Sequence, residues 1–138
     1  MASIDPTGAQ LKALAALEDD GGAIVMLNLL RYRNEADYAA EHAQTPCSGR
    51  DAFRRYAKLS IVCIEGVGGK VMYMGAALAT VIGPADERWN DIFLVRYPSR
   101  RAFLDMIASA EYQAIAFHRT AALQDSRLIA SSGKFSLP

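Results

Sequence analysis

The run Val71–Ile82 is apolar on both of its alternating faces, with Val71, Tyr73, Ala77 and Val81 on one side and Met72, Met74, Leu78 and Ile82 on the other. The run Ile24–Leu30 behaves the same way, interrupted only by Asn28. Successive side chains of a strand point to opposite sides of its sheet, and an antiparallel sheet with one wet face alternates apolar and polar residues. Neither run does so. A sheet built from them needs cover on both faces, and this requirement narrows the possible architectures more than any other feature of the chain.

The elements around these runs follow in a readable order. Asp5-Pro6 suits the opening of a helix, with Asp as N-cap acceptor and Pro in the first turn; Leu11, Leu14, Ala15 and Leu17 then keep roughly helical spacing up to Gly21-Gly22. Ala23–Leu30 is short and rich in β-formers, which predicts a strand. Asn34 is placed to cap a short helix through Ala36, Tyr38 and Ala39. Ser48-Gly49-Arg50-Asp51 has the form of a capping signal, and behind it Phe53, Tyr56, Ala57, Ser60, Cys63 and Ile64 share one stripe. That pattern predicts an amphipathic helix, ended by Gly66–Gly69. A long strand is expected over Val71–Ile82, closed by Gly83-Pro84, then a turn at Ala85–Arg88 and a strand over Asp91–Tyr97. Ser99 caps a helix carrying Ala102, Phe103, Met106 and Ile107. Ser109 starts a further turn or helix with Tyr112, Ile115, Ala116, Arg119 and Leu123 in register, and Arg127–Ser131 forms the last strand.

Leaving out the first helix, the order is strand, helix, strand, strand, helix, strand. This is the split βαβ order of an α+β, ferredoxin-like sandwich. A short internal match supports it: Leu30-Arg31-Tyr32-Arg33-Asn34 with Tyr38 parallels Val95-Arg96-Tyr97-Pro98-Ser99 with Phe103. Two or three helices cover only one face of such a sheet. A second copy related by two-fold symmetry would cover the other and close a dimeric α/β barrel; the alternative cover is the N-terminal helix or the segment 34–47. The chain thus divides into an N-terminal helical extension (1–21), a ferredoxin-like domain (22–132) and a tail (133–138).

Length and composition agree with a single globular domain: 138 residues, 51% hydrophobic and 22% charged. Fifteen basic residues balance fifteen acidic ones, and no basic stripe with interleaved aromatics is present, so neither nucleic acid nor an anionic membrane is an expected partner. No apolar run approaches the ~18 residues of a membrane span, and the first residues lack the pattern of an export signal. Cys47 and Cys63 have no CxxC spacing, which leaves reduced thiols and a cytoplasmic location as the expectation.

From Asp91 onward the chain resembles a known family. Phe93 through Phe103, then Ser109-Ala110-Glu111-Tyr112-Gln113, then Arg119 and Ala121-Ala122-Leu123, are similar to the domain-of-unknown-function family 1330. Upstream, Asn28–Tyr32 and Ser48-Gly49 with Tyr56 resemble a longer branch of it. The resemblance implies a dimeric α/β barrel with a ferredoxin-like protomer and no established reaction.

Candidate site residues are the polar exceptions on apolar surfaces. Arg119 occupies the stripe of Tyr112, Ile115, Ala116 and Leu123, where a charge is costly unless paired. It is either an anion anchor at a pocket or the partner of a structural carboxylate such as Asp91 or Glu65, or its stem carries the charge out to water. Asn28 must bond a neighbour or meet a ligand. His118 beside Arg119 is a candidate general base, with Asp91 as a further proton carrier. Arg31, Tyr56, Tyr73, Trp89 and Tyr112 are candidate pocket-lining residues for a flat apolar molecule, or plain core. Two histidines without metal-ligand spacing give no metal site. Gly66-Val67-Gly68-Gly69 follows a helix and precedes a strand, the wrong order for a dinucleotide loop. No cofactor is expected.

Three functions are consistent with this pattern. The first is a cofactor-independent enzyme acting on a small hydrophobic or aromatic molecule. The second is a binding protein for such a ligand. Some dimeric α/β barrels degrade haem with an Asn, a Trp and a His, and Asn28, Trp89 and His118 supply one of each, at a different spacing. The third is a structural dimer without a ligand.

Overall fold

The computed structural model describes residues 2–18 and 21–133. Its elements are α1 (Gly8–Ala15), β1 (Ile24–Tyr32), α2 (Gly49–Gly66), β2 (Lys70–Ala76), β3 (Asp91–Tyr97), α3 (Arg100–Ala108), α4 (Ala110–Gln113), α5 (Ala116–Ala122) and β4 (Leu123–Ser131), with a 3-10 turn at Ala40–His42. The four strands form one antiparallel sheet in the order β2-β3-β1-β4. With the helices packed on one face, this is the expected ferredoxin-like α+β arrangement.

The register sorts side chains cleanly. Ile24, Met26 and Leu30 of β1 point to the helices and are buried. In the same row as Asn28 stand Phe93 on β3 and Leu128 on β4, and Met74 is opposite Phe93. On the opposite face Leu27 lies between Leu94 and Ile129, and Leu29 lies beside Ile92. Two buried clusters fill the helix side. One joins Ile24, Met26, Ile64, Val95, Tyr97 and Phe103; the other joins Leu30, Ala52, Phe53, Ala122 and Leu123. Neither α1 nor the segment 34–47 lies over the outer face: α1 packs on α3, and the segment bonds to α5 and to the loop before α2.

Helix α2 begins as its capping signal requires, the Ser48 hydroxyl accepting from the Asp51 N–H at 3.0 Å. Gly49 is a necessity of close approach. A Cβ there would lie 2.2 Å from the Arg33 carbonyl oxygen and 2.6 Å from that of Ala122. At the other end Gly68 adopts φ +82, a left-handed conformation natural to glycine.

Four local expectations are corrected. The cap of α1 is Thr7, not Asp5: Thr7 and Gln10 form a reciprocal capping box, and the helix stops at Ala15, while Asp19 and Asp20 lie outside the described residues. No helix forms over 34–39, because the Ala36 N–H bonds the Cys47 carbonyl and the Asp37 N–H bonds that of Ala121, each at 2.9 Å. Strand β2 ends at Ala76, where its partner begins at Asp91; beyond it Leu78, Val81 and Ile82 are 95%, 92% and 95% exposed. Strand β4 starts at Leu123, which pairs with Tyr32 instead of continuing the helix. Of the expected tail, residues 134–138 lie outside the described residues. No helix among the described residues is long and apolar enough to cross a membrane.

Candidate functional site

A cavity of about 910 Å³ lies between the helix side of the sheet and the helices. Its floor is the row Met74, Phe93, Asn28 and Leu128 together with Met26 and Val95. Helix α2 contributes Phe53, Tyr56, Ser60 and Ile64, and α3 contributes Phe103, Met106 and Ile107. Tyr112, Gln113, Ala116 and Arg119 close one wall, while Asp5 and Pro6 border it from the N-terminal segment. Asn28 stands on β1 between Met26 of one core cluster and Leu30 of the other.

The polar groups within it are few and specific. The Tyr56 and Tyr112 hydroxyls share a hydrogen bond of 2.8 Å. Burial pushes the Tyr56 phenol well above its ordinary value, its neighbour Tyr112 adds to this, and the Arg119 charge opposes it. Tyr56 is therefore a neutral donor at any physiological pH. Arg119 is buried, and its guanidinium donates to the backbone carbonyl of Ile4. Asn28 donates from Nδ2 to the Met26 carbonyl at 3.3 Å. Gln113 donates to the Ile107 carbonyl.

Of the nine residues singled out from the sequence, Asn28, Tyr56, Tyr112 and Arg119 border this cavity. The other five stand elsewhere. Asp91 accepts from the Tyr32 hydroxyl at 2.6 Å and pairs with Arg50 at 3.0 Å, and none of the three lines the cavity. It is not the partner of Arg119, and neither is Glu65. His118 is a buried residue of α5, its Nδ1 2.7 Å from the Tyr38 hydroxyl, which also accepts from Arg55 at 3.4 Å. Burial, then the charge of Arg55, then His42 hold its imidazole below the ordinary value. Trp89 carries the Arg127 guanidinium 5.1 Å over its ring, and Arg127 pairs in turn with Asp125 at 2.9 Å. Tyr73 and Arg31 belong to the outer face, Tyr73 opposite Leu94 and Arg31 opposite Asp125. Asn28, Trp89 and His118 thus occupy three separate environments.

Sequence reasoning missed Ser60 and Gln113 as lining residues, Tyr38 as the partner of His118, and the N-terminal segment as a wall. Gln113 had a signal, its place in the Glu111-Tyr112-Gln113 motif. Tyr38 had none, because 80 residues separate it from His118.

Comparison with known proteins places these features in context. The profile of a domain-of-unknown-function family, DUF1330, matches residues 36–132. A protein of unknown function from Rhodopseudomonas palustris is 37% identical, with a TM-score of 0.87 over 99% of this chain and 100% of that one. Two others share the fold at low identity. A hydroxynitrile lyase from Passiflora edulis is 12% identical, with a TM-score of 0.56 over 86% of this chain and 99% of its own. A dabb family protein with a ferredoxin-like fold from Mesorhizobium loti is 11% identical, with a TM-score of 0.50 over 80% of this chain and 95% of its own. No curated protein matches the chain.

Proposed function

The chain belongs to the DUF1330 family of domains of unknown function, and from that membership we propose that it is a homodimeric α/β barrel that takes a small, largely apolar or aromatic molecule into its cavity and transforms it without a cofactor. The observation that carries this reading is the cavity. At about 910 Å³ it falls in the range of roughly 300–1,000 Å³ typical of small-molecule sites, and its apolar walls converge on a short set of polar groups. Tyr112, Gln113 and Arg119, from the motif that carries the family resemblance, form one of those walls.

The chemistry follows from the groups present. Asn28 and Arg119 orient and polarise the molecule. The proton role first considered for Asp91 or His118 passes to the Tyr56–Tyr112 pair, since those two residues lie away from the cavity. A phenol kept protonated by burial donates to a substrate oxygen that becomes negative, and the nearby guanidinium stabilises the same charge. Isomerisation or a lyase-type cleavage beside a carbonyl has this requirement. Binding without turnover is the second reading, and it uses the same walls. Its haem version has no support in the separated positions of Asn28, Trp89 and His118.

The dimer rests on the outer face of the sheet. Leu27, Leu29, Ile92 and Leu94 form an apolar band there, flanked by Tyr73 and Ile129, each 53% exposed. Continuous apolar surface of this kind marks an interface, and a second copy matches it by symmetry.

A ligand-detected NMR screen of small aromatic and apolar compounds tests the cavity. Hits are expected with the wild-type protein and lost in Ala116→Trp, which fills the space from α5. A screen with no hits, or hits indifferent to Ala116→Trp, would reject the site. Among hits that are turned over, Tyr56→Phe with Tyr112→Phe is expected to lower the rate by about 10²-fold, the usual contribution of a positioned proton donor. An unchanged rate would remove the proton role from the Tyr56–Tyr112 pair, and hits without any turnover would leave binding alone.

A further inference from the structure

The electrostatics of Arg119 are incomplete. A guanidinium stays charged at every accessible pH and offers five N–H donors. Arg119 is only 9% exposed, and among the described residues its hydrogen bonding consists of one bond, to the Ile4 carbonyl. No carboxylate of the described residues lies within ion-pair distance of it. Of the two acids that line the cavity, Asp5 accepts through Oδ1 from the Thr120 hydroxyl at 2.8 Å, and Asp105 pairs with Arg101 at 2.9 Å. A buried cation whose only partner is a neutral carbonyl is poorly compensated, and this one borders an apolar cavity.

The carbonyl is supplied by a segment held through exchangeable bonds. The Ser3 N–H donates to Asp125 Oδ1 at 2.9 Å, and the Ser126 hydroxyl donates to the Ser3 carbonyl at 2.6 Å. Ser3 and Asp5 are exposed, and Asp5 and Pro6 stand at the rim of the cavity. A stronger acceptor entering the cavity would meet the guanidinium beside this segment.

We propose that the ligand of the cavity is a small aromatic or apolar carboxylate, whose carboxylate binds Arg119 in place of the Ile4 carbonyl while its apolar body lies among Phe53, Phe93 and Tyr97. The inference rests on the reading of the cavity as a ligand site and adds its charge class. A carboxylate brings the opposite charge and accepts two parallel N–H bonds from one guanidinium, neither of which a backbone carbonyl offers, so the exchange runs toward the ligand. Segment 3–6 then acts as a placeholder that keeps the guanidinium solvated by protein until the acid arrives.

The test uses phenylacetate and its neutral isostere phenylacetamide, titrated calorimetrically and by NMR. The acid is expected to bind at least tenfold more tightly than the amide. Arg119→Gln should abolish that preference while leaving weak binding of both. Because Arg119→Gln also removes the bond to Ile4, Asp5→Asn gives a second check: removing the rim carboxylate should raise the ratio of acid to amide affinity, and an unchanged ratio would count against a carboxylate seated on Arg119. The amides of Ile4 and Asp5 should shift on saturation with phenylacetate and stay in place with phenylacetamide. Equal affinity for acid and amide, with shifts at Phe93 and Tyr112, would overturn the charge class and leave the cavity reading standing. No binding of either compound, nor of any other small aromatic, would overturn both.

Discussion

Burial and the facing charge of Arg55 favour the neutral form of His118, whose Nδ1 shares a hydrogen bond with the Tyr38 hydroxyl, with His42 stacked on neighbouring Phe117. Its folded pKa lies below the ordinary 6.5, so the unfolded chain takes up the proton first as pH falls. By linkage, stability is fully present above about pH 6.5 and declines as pH drops toward the folded value. Urea midpoints measured at pH 7.5 and pH 5.5 should therefore fall in the wild-type protein and fall less in His118→Asn. An equal fall in both would show that His118 is not the group responsible. Gly49 makes a different prediction at the same scale. A methyl there would collide with two carbonyl oxygens at 2.2 and 2.6 Å, so Gly49→Ala should cost about 1–3 kcal/mol in urea unfolding, the usual penalty of overpacking. Gly66→Ala, with nothing within 4 Å of the added carbon, should be neutral or slightly stabilising.

Among the elements, helix α1 is attached rather than embedded. It has no buried residue, and it touches the core through Leu11 and Leu14, which are only partly buried. Local stability follows buried apolar contact, so amide exchange in α1 should be much faster than in α2, which buries Phe53, Ser60 and Ile64. Equal protection would mean that α1 is part of the cooperative unit. The elements also show where sequence reading succeeds. The stripe Phe53–Ile64 and the cap Ser48 made α2 readable, since both signals are local. The strand end at Ala76 was not readable, because apolarity continues to Ile82 and only the start of the neighbouring strand at Asp91 decides where pairing stops. The same divide runs through the site. Arg119 announced itself as a charge on an apolar stripe, and Asn28 as an amide in an apolar strand. Asp91 and His118 could not be placed, because their partners Tyr32 and Tyr38 are 59 and 80 residues away.

For the whole molecule the outer face of the sheet is the deciding surface. If a second copy covers it, light scattering should find two chains per particle, and Leu94→Arg should yield a monomer with an unchanged far-ultraviolet spectrum. A wild-type monomer would remove the barrel and leave the cavity, which is built within one chain. The exposed loop carrying Leu78, Val81 and Ile82 continues from the edge strand β2, and shortening it should weaken the association if it reaches the partner.

Strand β1 is a wall one residue thick. Asn28 faces the cavity, while Leu27 and Leu29 on either side of it face the opposite way, toward the proposed partner. Adjacent residues of a strand share one backbone and cannot move separately. Two cavities in a barrel would thus stand back to back with only paired sheets between them, and filling one would press on the floor of the other. Ligand titrations of the intact pair should depart from a Hill coefficient of one, and those of the Leu94→Arg protein should not.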